Sequence, residues 1–134
     1  MSEGVKLIFP TISARMREVD GEKYIWDSLR KKWLLLTPEE WVRQHTIAWL
    51  IESRGIPALR ISQEYPVNVV IDESAKPYLL VECKAPEVAI DNEVVMQAIR
   101  YNAIVKARYI LLTNGKALYC FEYADGKYRA VKEF

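Results

Sequence analysis

Tyr78-Leu79-Leu80-Val81-Glu82-Cys83-Lys84-Ala85-Pro86 is a run of strand-forming residues that carries a carboxylate and an ammonium two positions apart. Alternate residues of a strand share a face. Glu82 and Lys84 are therefore expected to point one way, with Val81 and Cys83 pointing into the opposite, apolar side. Two opposite charges at the end of a hydrophobic strand are unfavourable to desolvate unless they have good partners or a chemical task. The task that fits is metal-dependent phosphodiester hydrolysis. Glu82 would help hold a divalent cation, and Lys84 would orient or activate the attacking water and steady charge on the phosphate. An ordinary ion pair on a solvated strand face is the competing account, so the surrounding sequence has to decide.

Working outward, strands are expected at 58–65, 67–72 and 78–83. Asp91 or Asn92 then caps an amphipathic helix through about Lys106, with Val95, Ala98, Ile99, Ala103 and Ile104 largely inward. Strands at 109–113 and 117–123 follow across Asn114-Gly115, and 128–131 pairs back across Asp125-Gly126. Upstream, Thr37-Pro38-Glu39-Glu40 marks a helix start, with Thr as N-cap, Pro at the first position and Glu at the third. That helix should run to about Ser53, where Arg54-Gly55-Ile56-Pro57 ends it. Before it, runs at 14–19 and 22–26 flank the turn Asp20-Gly21, and 33–36 is a further short strand. This order predicts an α/β (α+β) fold, a mixed central sheet flanked by helices. A single domain over 1–134 is expected, with an extended hairpin region at 1–36 and a core at 37–134.

Composition narrows the class. The 134 residues are 51% hydrophobic and 28% charged, the profile of a globular domain able to bury a core. A net charge of +1 gives no global nucleic-acid signature, so DNA affinity would have to come from a local patch. Neither a secretory leader nor a membrane-length apolar run is visible, and Cys83 and Cys120 read as reduced core thiols, so a cytoplasmic location without membrane contact is expected. One histidine and two distant cysteines do not form a zinc set. His45 reads as a half-buried helix residue rather than a general base, and the four tryptophans read as core rather than a base-stacking platform.

With the strand, its helices and Glu82-Cys83-Lys84 in place, the chain resembles the N-terminal nuclease domain of type I restriction enzyme R subunits. That family lies within the PD-(D/E)XK nuclease superfamily, and small stand-alone members are the most similar. The resemblance spans about residues 25–122. It rests on Leu36-Thr37-Pro38-Glu39-Glu40-Trp41-Val42-Arg43-Gln44, on the stretch from Tyr78 to Pro86, and on Gln97-Ala98-Ile99-Arg100-Tyr101, which fits a Gln-x-x-x-Tyr pattern found after the Glu-x-Lys strand in relatives.

Carried onto these positions, the resemblance implies that Glu82 is a metal ligand and Lys84 the catalytic lysine. Gln97 and Tyr101 would lie beside the site and contact DNA or orient ligands. Glu40, preferred over Glu39, would add a carboxylate from the first helix, although a capping box places a Glu there in any case. Relatives carry an acid on the preceding strand. In Pro66-Val67-Asn68-Val69-Val70-Ile71-Asp72 that position is held by Asn68, unless Asp72 supplies the ligand from the strand's far end; the two share parity. The implied activity is Mg²⁺-dependent (or Mn²⁺-dependent) DNA endonuclease cleavage, with restriction-system subunits as partners and pairing into a homodimer. The alternative is a catalytically degenerate DNA-binding or assembly module of the same fold. No phosphate-binding Gly-rich loop is present, so no motor activity is expected.

Overall fold

The computed structural model describes residues 6–64 and 67–134. Three antiparallel strands come first: β1 (Met16–Val19), β2 (Glu22–Asp27) and β3 (Lys32–Leu35). Asp20 and Gly21 both adopt positive φ, 52° and 81°, the geometry that a two-residue hairpin turn requires. Helix α1 (Pro38–Glu52) follows. Thr37 Oγ1 accepts from the Glu40 N–H at 3.0 Å, so the N-cap read from the sequence is formed.

A six-stranded sheet holds the rest, in the order β4 (Ile61–Glu64), β5 (Val67–Ile71), β6 (Pro77–Cys83), β7 (Tyr109–Thr113), β8 (Leu118–Ala124) and β9 (Lys127–Val131). All neighbours are antiparallel except β6 and β7, which are parallel and joined through helix α2 (Asn92–Val105). A parallel pair needs such a crossover. The expected strand at 58–65 begins only at Ile61, because Ala58–Arg60 close a 3₁₀ turn in which the Arg60 N–H bonds the Pro57 carbonyl. Tyr65, the expected end of that strand, and Pro66 lie outside the described residues.

The two faces of the sheet bury separate cores. Leu79, Val81 and Cys83 of β6 pack with Val42 and Leu50 of α1 and with Ile25 of the small sheet. Leu80 packs on the other side with Val69, Ile110, Leu112 and Ala98 of α2. Burial on both faces explains why β6 reads as an unbroken apolar run rather than an alternating one. Cys83 and Cys120 are free and buried, and desolvation pushes their thiols up to about 12 and about 11.

Two expectations about α2 are corrected. Ile104 is 82% exposed and Ala103 is exposed as well, whereas Asn102 is buried. The inward stripe is set by Val94, Val95, Ala98, Tyr101 and Val105, and position 104 falls outside it. Asn102 is buried because it closes the helix end. Its Nδ2 donates to the Ala107 carbonyl and to Tyr128 Oη, both at 3.0 Å, and its Oδ1 accepts from the Ala107 N–H at 2.8 Å. The β7–β8 connection is also looser than a two-residue turn, since Thr113 pairs with Leu118. Asn114 Oδ1 accepts from the N–H groups of Lys116 and Ala117 at 2.9 Å each. Gly115 sits at φ 84°, where an added Cβ would lie 2.6 Å from Leu7 Cδ2.

Candidate functional site

The site is built at the C-terminal end of β6. Strand alternation sends Val81 and Cys83 into the α1-side core and leaves Glu82 on the face of Leu80. Glu82 is only 2% exposed, and neither carboxylate oxygen has a hydrogen-bond partner. Its nearest counter-charge is Lys84 Nζ, 3.6 Å from Oε2, an ion pair just beyond hydrogen-bond length. Burial raises the Glu82 pKa above its usual range; Lys84 opposes that shift and Glu39 adds to it. A buried, unbonded carboxylate is an unfavourable arrangement that a bound cation would relieve.

Surrounding backbone fixes this corner. The Lys84 N–H donates to the Thr113 carbonyl at 2.9 Å, carrying the β6–β7 ladder one residue past Cys83. Asn114 Nδ2 donates to the Val88 carbonyl at 2.8 Å, which ties the segment after Lys84 to the β7–β8 connection.

The other residues expected at the site are placed as follows. Glu40 is turned into a charge network. Arg43 Nη2 reaches its Oε2 at 2.6 Å and also Asp27 Oδ2 at 2.6 Å, and Gln44 Nε2 donates to Glu40 Oε2 at 2.7 Å. Glu39 is instead the α1 carboxylate whose charge is felt by Glu82, whereas Cys83 feels both acids. The signal that could have separated the two was Gln44, four residues beyond Glu40 but five beyond Glu39, since Arg43 is within helical reach of both.

Asp72 is remote from Glu82, which corrects the inference drawn from parity. Its N–H bonds the Lys76 carbonyl, and its Oδ1 accepts from the N–H groups of Ser74 at 2.8 Å and Lys76 at 3.0 Å, capping the β5–β6 turn. In an antiparallel hairpin the end of β5 lies beside the start of β6. Pro77 to Glu82 is about 17 Å at ~3.3 Å per residue. Asn68 is nearer, paired with Val81, but shares that residue's face and not that of Glu82. Its Nδ2 donates to the Ser62 carbonyl at 3.4 Å.

Gln97 and Tyr101 both lie on α2, one turn apart. Gln97 Oε1 accepts from Arg100 Nη1 at 2.9 Å, and Tyr101 packs against the α2-side core. Neither hydrogen-bonds Glu82. His45 is buried, with Nδ1 2.8 Å from the Trp41 carbonyl and its pKa lowered by desolvation, so it is a packed helix residue as expected.

Among the described residues no cluster of three His, Cys, Asp or Glu side chains could hold a metal. The donors that fit a hard cation are the two unbonded Glu82 oxygens, with Glu39 the neighbouring acid on α1. Among the described residues no helix is long and apolar enough to cross a membrane.

Neither a curated protein nor a solved structure matches the chain. A family profile described as the type I restriction enzyme R protein N terminus matches residues 38–134, from the first residue of α1 to the end of the chain. That span takes in both helices, the whole six-stranded sheet and the Glu82–Lys84 corner, and it is most of the 134 residues. The chain belongs to the type I restriction enzyme R protein N-terminal family.

Proposed function

We propose that this domain is a divalent-metal-dependent DNA endonuclease of the restriction type. The observation that carries the reading is Glu82: a nearly fully buried carboxylate with both oxygens unbonded, 3.6 Å from a lysine. Glu82 and Glu39 would hold the cation, Mg²⁺ or Mn²⁺, which supplies Lewis-acid stabilisation of charge on the phosphate. Lys84, with its side chain 30% exposed, sits where it can meet solvent and substrate. Its Nζ would orient the attacking water along the line of displacement and donate to a non-bridging phosphate oxygen as charge builds there. Gln97 and Tyr101 are proposed as DNA-contacting positions on α2, and DNA and other restriction subunits as partners.

The test is supercoiled plasmid with Mg²⁺, Mn²⁺ or EDTA. Cation-dependent nicking by the wild type, lost in Lys84→Ala and in Glu82→Gln, is the expected result. Equal nicking by Lys84→Ala would remove that lysine from the mechanism. A second reading, a catalytically degenerate DNA-binding module, is favoured by one observation: Asn68 occupies the position of the expected acid, and Asp72 stands about 17 Å along β6 at ~3.3 Å per residue. A folded protein that binds DNA, with no cation effect on cleavage or melting, would establish that reading.

A further inference from the structure

The N-terminal sheet turns an unusual face to solvent. Ile25 and Asp27 of β2 are buried against the body, so strand alternation directs Trp26 outward. Trp33 stands directly across from it on β3, with ring centroids 5.4 Å apart at an interplanar angle of 65°. Neither joins the α1-side or α2-side core. The Arg15 guanidinium lies 5.1 Å from the Trp26 centroid and 5.6 Å from that of Trp33, and Arg17 lies 4.4 Å over Trp33. Of the nearby acids, Glu22 is set apart at the hairpin turn beyond Tyr24, and Glu52 of α1 lines the cavity shared by Arg15 and Trp26. The strands β1 to β3 precede the family-matched span, yet Asp27 fastens them to α1 through Arg43.

We infer that this face binds a single strand of nucleic acid. Alternating guanidinium and indole planes match a strand in which phosphates alternate with bases. The arginines meet phosphates, and the rings offer stacking surfaces that tolerate any base. The two guanidiniums held over the rings favour an anionic occupant above an apolar polypeptide. Nothing in this requires chemistry at Glu82.

The experiment uses the full chain in EDTA with labelled oligothymidylate, reading anisotropy and tryptophan emission. Expected are saturable binding, quenched emission, and an affinity about tenfold lower in the Arg15→Gln/Arg17→Gln double variant. The slope of log affinity against log salt should also shrink by about 1.4, the value for two lost phosphate contacts on a single strand. Unchanged affinity in the double variant overturns the proposal. So does saturation of the wild type without tryptophan quenching, a readout that does not depend on any variant folding. Equal competition by polyglutamate would show an acidic polypeptide site instead. A comparable loss in Lys84→Ala would place the strand at the β6 end and equally overturn it. Oligouridylate run alongside names the strand, since tighter binding of either polymer supports the platform and identifies its source. Plasmid nicking is read separately, so either inference can fail alone.

Discussion

At Glu82 the physical conflict is between desolvation and function. The carboxylate is buried, unbonded and answered by a single lysine at 3.6 Å. Glu82→Gln should therefore raise the melting temperature of the cation-free protein at neutral pH, by an amount of order 1 kcal/mol in stability, because a charge without hydrogen bonds is removed. Mg²⁺ or Mn²⁺ should stabilise the wild type and leave the variant unmoved in the same thermal melts. His45 supplies a different residue-scale prediction. Burial lowers its pKa from 6.5 and the Trp41 carbonyl opposes the shift, so the neutral ring is favoured in the folded state. The stability this contributes is present above pH 6.5 and is lost as pH falls from there through the folded value. Urea denaturation across that window should show the decline, and His45→Gln should flatten it. Asp27 does not confuse the result. Burial raises its pKa, but Arg43 and Arg30 outweigh this and hold it below 3.8, so its contribution fades only in more acidic solution.

Between elements, Arg43 is the joint. Its side chain is 8% exposed and its Nη2 bridges Asp27 of β2 and Glu40 of α1 at 2.6 Å each. Arg43→Met would leave two carboxylates facing each other, one of them 2% exposed, and should cost about 3–5 kcal/mol by denaturant titration. Thr37→Ala, which removes only the N-cap bond, should cost about 1 kcal/mol. The contrast measures how much of α1 is held by the small sheet rather than by its own cap. Gly115 is a second joint, where its carbonyl accepts from the Ile8 N–H at 2.7 Å and its positive φ strains any other residue.

Across the whole molecule, protection should follow sheet position. Strands β5 to β7 lie between both cores, whereas every residue of β1 is exposed. Native-state hydrogen exchange should find the slowest amides in β6 and β7 and the fastest strand amides in β1. Slower exchange in β1 than in β6 would mean that the N-terminal sheet is bound to something in solution.

Local sequence determined much of this protein. Thr37-Pro38, Asp20-Gly21, Asp91 and Asp125-Gly126 each act within four residues, and they set helix starts and turns where the chemistry of those residues demands them. The Tyr78–Pro86 stretch likewise disclosed the central strand and the Glu82–Lys84 pair, because alternation is a property of the strand alone. Partners distant along the chain were not legible. The commitment of Glu40 to a charge network depends on Arg43, which Asp27 also claims from sixteen residues away. Trp26 and Trp33 look like core residues until the buried side of β2 is known to be that of Ile25 and Asp27. Asp72 stood midway, since antiparallel pairing alone puts a turn-proximal residue at the wrong end of β6. The chain's periodicity gives each side chain a face; only the docking of the small sheet, α1 and β6 decides what that face meets.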